Sequence, residues 1–206
     1  FTPSWVLGPL VLSKKEIRRI LAMAPSLKAR VMLSLAYGCG MRAGEVVRLK
    51  VGDIDGAQGI IRIVQSKGRK DRNVMLPSDI LELLREWWSE RPTGQDKDVA
   101  APERVLSPGY RGKHLSARQI SRLFKETARE TGITKPVTLH TLRHSFATHL
   151  LERGVDIRVI QALLGHSKLT TTARYASVAT GMIAGVDSPL DDLNGVKRKK
   201  GKPKPL

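Results

Sequence analysis

The sequence predicts an α+β fold, mainly α-helical, with one small antiparallel β-sheet built on a hairpin. Three observations carry that expectation. Apolar residues recur at helical spacing along most of the chain, punctuated by capping residues and glycine stops. A single pair of strand-like runs, Gly59–Val64 and Arg72–Leu76, flanks a polar turn at Gln65–Asp71. Hydrophobic residues make up 41% of 206, enough to bury one substantial core.

The elements follow in order. Ser13-Lys14-Lys15-Glu16 is a capping box, and it opens a helix with Ile17, Ile20 and Leu21 on one side. Pro25-Ser26 breaks that helix, and Leu27–Tyr37 reads as a second, more buried one. Gly38 and Gly40 stop it, and a short third helix is expected from about Met41 to Leu49. After the hairpin, Ser78 caps a helix to about Glu90 in which Trp87 and Trp88 take core or interface positions. Residues Arg91 to His114 hold three prolines and three glycines, so this stretch is mainly loop. Ser116-Ala117-Arg118-Gln119 is a second capping box, for a helix to about Thr131. Three short helices are expected next, at Leu139–Arg153, Ile157–Leu164 and roughly Thr170–Ala176, with a brief one possible at Val178–Ile183. The domain is expected to span residues 13–185, preceded by an extension over 1–12. A basic, disordered tail is expected over 186–206, and the last eleven residues hold six Lys or Arg and no acid.

Charge narrows the partners. Thirty-six Lys and Arg against 19 Asp and Glu leave a net charge of +17, which calls for a polyanion. Nucleic acid leads, and an anionic membrane surface comes second. The apolar stretches around Ala29–Tyr37 and Trp5–Leu12 are too short to span a bilayer. Phe1-Thr2-Pro3 carries neither an initiating Met nor a signal-peptide start, so the chain reads as a piece of a longer one. The lone Cys39 fits a reducing, cytoplasmic compartment and reads as a small packed residue between two glycines.

Cutting a phosphodiester requires cations on two non-bridging oxygens, an in-line nucleophile and a proton for the departing oxygen. Guanidinium groups and a hydroxyl can supply these. The segment Leu139–Leu151 is dense in such groups, with His140, Arg143 and His144 at i, i+3 and i+4. A solvated polar helix face is an equally good reading of that pattern taken alone. His140 and His144 also have metal-ligand spacing, but no Glu accompanies them, and zinc is the weaker reading.

The neighbouring blocks decide between these. Leu163-Leu164-Gly165-His166 followed by Tyr175 resembles the closing motif of the tyrosine recombinase (phage integrase) family. Leu142-Arg143-His144-Ser145-Phe146-Ala147-Thr148-His149 resembles its central box. Tyr37-Gly38-Cys39-Gly40-Met41-Arg42-Ala43-Gly44-Glu45 resembles its first arginine box, and Ser66–Arg72 its β2–β3 lysine turn. Four blocks in this order, over about Ser13 to Ala176, make the resemblance specific.

The resemblance implies the tyrosine recombinase catalytic fold and a role for each matching residue. Arg42 and Arg143 would grip the scissile phosphate, and His166 would add a hydrogen bond to it. His140 would accept or orient the tyrosine proton, and Tyr175 would attack phosphorus to form a 3′-phosphotyrosyl link. Lys67 would be the general acid for the leaving 5′-oxygen, with Arg69 and Lys70 as rivals on the same turn. Glu45 would support the active-site arginine and histidine without touching DNA. Arg48, Arg69, Lys70 and Arg72 are candidate phosphate contacts, or simply solvated surface.

No metal or other cofactor is implied. The implied partners are double-stranded DNA and further copies of the recombinase, as a tetramer on two duplexes, with no membrane. A separate N-terminal DNA-binding domain would complete the clamp, so the domain by itself is expected to be monomeric. A bacterial, nucleoid-associated setting is expected. Two alternatives stay open: a type IB topoisomerase, which would relax plasmids without strand exchange, and a catalytically silent DNA-binding relative.

Overall fold

The computed structural model describes residues 10–64, 71–92, 94, 96–109, 114–165, 186 and 188–193. Within them the chain forms a helical bundle with a three-stranded sheet at one side. Helix α1 (Lys14–Ala22) begins with the expected capping box: Ser13 Oγ accepts from the Glu16 amide at 3.2 Å, and the Ser13 amide donates to Glu16 Oε2 at 2.7 Å. Helix α2 (Leu27–Gly38) is capped by Ser26, and residues 31–38 are buried on every side. A helix apolar all round belongs in the centre of a fold. Helix α3 (Ala43–Arg48) follows after the turn at residues 39–42, shorter than expected at both ends.

The sheet has the order β1-β2-β3 and is antiparallel throughout. Strand β1 (Ile54–Asp55) pairs with β2 (Ile60–Ile63), and Ile61 of β2 faces Val74 of β3 (Arg72–Met75). Helix α4 (Ser78–Glu90) packs on α2. Its N-cap is Pro77, so Ser78 is the first helical residue and not the cap. Trp87 is buried and its Nε1 donates to the Leu106 carbonyl at 2.6 Å, while Trp88 lies under the Arg91 guanidinium. Helix α5 (Ala117–Glu130) starts at the second capping box, Ser116 with Gln119. Helix α6 (Leu139–Glu152) packs against α2 and α5, and α7 (Ile157–Leu164) packs against α6 and β3.

Two stretches outside the expected 13–185 span pack against it. Leu12, assigned to the leading extension, is fully buried, and its amide donates to Ser145 Oγ on α6 at 2.9 Å. Residues 189–193, assigned to the disordered tail, form a further helix, α8 (Pro189–Leu193). Leu190 and Leu193 join the core against α1, α2 and α6, Ser188 Oγ donates to the Gly38 carbonyl, and Arg18 Nε donates to the Leu193 carbonyl. Five residues cannot form a helix unaided, so docking makes this one. The helices expected at Thr170–Ala176 and Val178–Ile183 lie outside the described residues, as do residues 187 and 194–206 of the basic tail. No helix among the described residues is long and apolar enough to cross a membrane.

Candidate active site

The site is built where the start of α3, the start of β3, the middle of α6 and the end of α7 meet. An α-helix leaves its last carbonyls without intrahelical partners, and that end carries partial negative charge. Helix α7 stops because Gly165 turns left-handed, at φ 61°. Three arginines take up the freed carbonyls. Arg72 Nε donates to the Leu163 carbonyl at 2.7 Å, Arg42 Nη2 donates to the Leu164 carbonyl at 3.2 Å, and Arg143 Nη2 donates to the same Leu164 oxygen.

Glu45 ties two of these arginines together. It stands at the third position of α3, where a carboxylate caps the helix start, and its Oε2 accepts from the Arg42 amide at 2.8 Å. Its Oε1 accepts from Arg42 Nη1 at 2.9 Å. Arg72 meets the same carboxylate as a fork, Nη1 to Oε1 and Nη2 to Oε2, both at 2.8 Å. Burial pushes the Glu45 carboxyl up, but the hydrogen bond and charge of Arg72, then the bonds from Arg42, outweigh it and hold it at about 2. It is therefore a carboxylate at any physiological pH.

Arg143 enters from α6. It is 2% exposed, and its Nη1 donates to the Gly40 carbonyl at 2.6 Å. Gly40 has φ 62°, and a Cβ there would fall 2.6 Å from the Phe146 ring, so only glycine lets the backbone lie this close. Burial, and then the charges of Arg42 and Arg72, pull the Arg143 guanidinium down to about 9, against an opposing pull from Glu45. It stays a cation at neutral pH. Three cations face one carboxylate, an excess of positive charge suited to an anion.

The structure brings Arg42, Glu45 and Arg143 together, and adds Arg72. Arg42 is the more open of the pair it forms with Glu45, with 27% of its side chain exposed against 6%. His140 and His144 are exposed on α6, their rings edge-to-face with centroids 4.4 Å apart. Arg143 thus turns inward while its two histidine neighbours face out, and the three do not share one surface. His149 is buried, with its Nδ1 3.0 Å from the Tyr37 hydroxyl. Arg48 is exposed beside Gly44. Lys67, Arg69, Lys70, His166 and Tyr175 lie outside the described residues. Among the described residues, no group of three or more His, Cys, Asp or Glu could hold a metal ion.

Sequence reasoning missed the part played by the end of α7. The signal was there: a glycine stop predicts unpaired carbonyls, and unpaired carbonyls attract guanidinium groups. It also placed Arg72 among surface contacts, whereas its side chain is 7% exposed and Nε, Nη1 and Nη2 all bond within the protein.

The fold is thus a helical domain with a small sheet, and where four of its elements meet three arginines gather about one carboxylate and the end of a helix. The phage integrase family model matches residues 11–182, and the chain belongs to that family. Two integrase/recombinase proteins of Sinorhizobium fredii, y4qK and y4eF, are 39% and 38% identical over 186 residues, 90% of this chain. The chain spans 58% of the length of the first and 70% of the second. The crystal structure of XerA recombinase superposes with a TM-score of 0.71 at 29% identity, over 98% of this chain and 67% of that one.

Proposed function

We propose that this chain carries the catalytic domain of a site-specific DNA recombinase that cuts and rejoins DNA through Tyr175. One observation above all supports the reading: Arg42 and Arg143, drawn from motifs far apart in sequence, donate to a single carbonyl, Leu164 O. That convergence suits two guanidinium groups meant for one phosphate. The net charge of +17 suits a DNA partner.

In this reaction Arg42 and Arg143 bind the non-bridging oxygens of the scissile phosphate, and their charge offsets what builds up at phosphorus. His166 donates a further hydrogen bond. The Tyr175 hydroxyl has an ordinary pKa of about 10, so its proton must be drawn off, with His140 accepting or orienting it. The tyrosyl oxygen bonds to phosphorus as the bond from phosphorus to the 5′-oxygen breaks, and Lys67 protonates that leaving oxygen. The 3′-phosphotyrosyl link keeps the energy of the broken bond. A 5′-hydroxyl from another strand then reverses the step, with no nucleotide hydrolysis. Glu45 orients Arg42 and touches no DNA. Arg48, Arg69 and Lys70 are candidate backbone contacts. The working assembly is a tetramer of such chains on two duplexes, acting in the bacterial nucleoid.

The test is covalent trapping on a nicked suicide duplex carrying the recombination site, with Tyr175→Phe as control. A denaturant-resistant protein–DNA adduct from the wild type alone is expected. No adduct from the full-length protein would leave a silent DNA-binding relative. Plasmid relaxation without strand exchange would favour topoisomerase chemistry.

A further inference from the structure

The arginine that sequence reasoning placed on the surface holds the site together from beneath. Arg72 begins β3, five residues after Lys67 in sequence. Its fork meets Glu45 and its Nε the Leu163 carbonyl, so each of its three nitrogens already makes a hydrogen bond within the protein. One group it holds, Glu45, supports Arg42 directly, and the other, the Leu163 carbonyl, is next to the second support of Arg42. Glu45 receives Arg42 Nη1, and Leu164, next to Leu163, receives Arg42 Nη2. Gly165 is fitted to this contact, because a Cβ there would lie 2.9 Å from Arg72 Cδ.

Charge makes the same point. Arg42 alone with Glu45 would be a neutral pair with little left for a phosphate. A second guanidinium on the same carboxylate offsets its charge and leaves that of Arg42 available.

We propose that Arg72 is a positioning residue for the phosphate-binding site: through Glu45 and the end of α7 it holds Arg42 in place and keeps its charge uncommitted. This rests on the reaction proposed above, in which Arg42 serves the scissile phosphate.

The experiment compares wild type with Arg72→Met and Arg72→Lys in the full-length protein. The rate of adduct formation is measured on two nicked suicide duplexes, one with an ordinary scissile phosphate and one with a methylphosphonate there. A methylphosphonate has one non-bridging oxygen replaced by methyl and carries no charge, so it depends far less on a well-placed cation. Arg72→Met is expected to slow trapping about 100-fold on the ordinary phosphate, the scale of a misplaced catalytic group. The slowing should shrink to less than about fivefold on the methylphosphonate. Arg72→Lys, which keeps the charge but not the fork, should fall between. Affinity for duplex DNA and its dependence on salt should stay at the wild-type level.

Equal slowing on both substrates would overturn the proposal in favour of a merely structural role. Weaker binding with a salt slope shallower by about one would overturn it in favour of a direct phosphate contact. If Arg72→Met is unfolded at the assay temperature, Arg72→Lys decides by the same criteria. Wild type that traps on neither substrate would instead overturn the recombinase reading itself, and this inference with it.

Discussion

Two buried arginine–carboxylate pairs in this molecule invite comparison. Arg72 with Glu45 joins β3 to α3 and, through the Leu163 carbonyl, to α7. Arg91 with Asp96 joins residues five apart, at 2.5 Å, and is equally hidden, with 0% and 5% of the side chains exposed. The first pair uses both carboxylate oxygens and all three kinds of guanidinium nitrogen. The second leaves Arg91 Nε and Asp96 Oδ1 without a hydrogen-bond partner among the described residues. Arg91 instead spreads over the Trp88 ring at 4.0 Å and donates to the Val105 carbonyl. The difference teaches that a buried ion pair is not one kind of object. One pins a loop to the helix beside it, and the other is a joint on which further charged groups rest.

The comparison can be broken or sharpened by substitution. The largest effect is expected at Arg42→Ala, which should slow adduct formation about 10²- to 10³-fold, as loss of a transition-state donor does. Quenched trapping on suicide DNA measures it. Glu45→Ala should next cost about 3–5 kcal/mol in urea unfolding, because it leaves buried guanidinium groups uncompensated.

Acid should find the same joint. The Glu45 carboxyl sits at about 2 in the folded chain against an ordinary 4.5, so the unfolded chain takes up its proton first as pH falls. Its contribution, about 3 kcal/mol, should be complete above pH 4.5 and drain away towards pH 2. Urea midpoints followed over that range should fall less steeply in Glu45→Gln. Gly165→Ala should cost about 1–2 kcal/mol, since an L-residue is forced left-handed with its Cβ against Arg72. The smallest effect is expected at the other pair. Replacing it whole, as Arg91→Met with Asp96→Leu, should leave stability within about 1 kcal/mol. Trapping should stay within twofold, and a larger loss would mean that the loop pair also serves the site.

Most of this architecture could be read from the chain, and the exceptions share a physical cause. Helices α1, α2, α5, α6 and α7 were legible because caps, glycine stops and apolar spacing agreed over two turns or more. Strand β1 and helix α8 were not, since two or five residues hold no period and owe their form to what they dock against. At the site, Arg42, Glu45 and Arg143 were legible from their motifs. That Arg143 points inward while His140 and His144 point out was not, because spacing of i, i+3 and i+4 covers an arc wide enough to straddle the edge of a core. Arg72 was misread for a simpler reason. A basic residue beside a basic turn looks like surface until the carboxylate it meets, 27 positions away, is seen.

The bond from the Leu12 amide to Ser145 Oγ has a mechanical side. It rivets the polypeptide entering the domain to α6, two residues from Arg143, and it is buried from water. Tension on the chain ahead of Leu12 would therefore load the helix that bears Arg143 before it reached any outer loop. A tug from outside the domain would be felt at its centre.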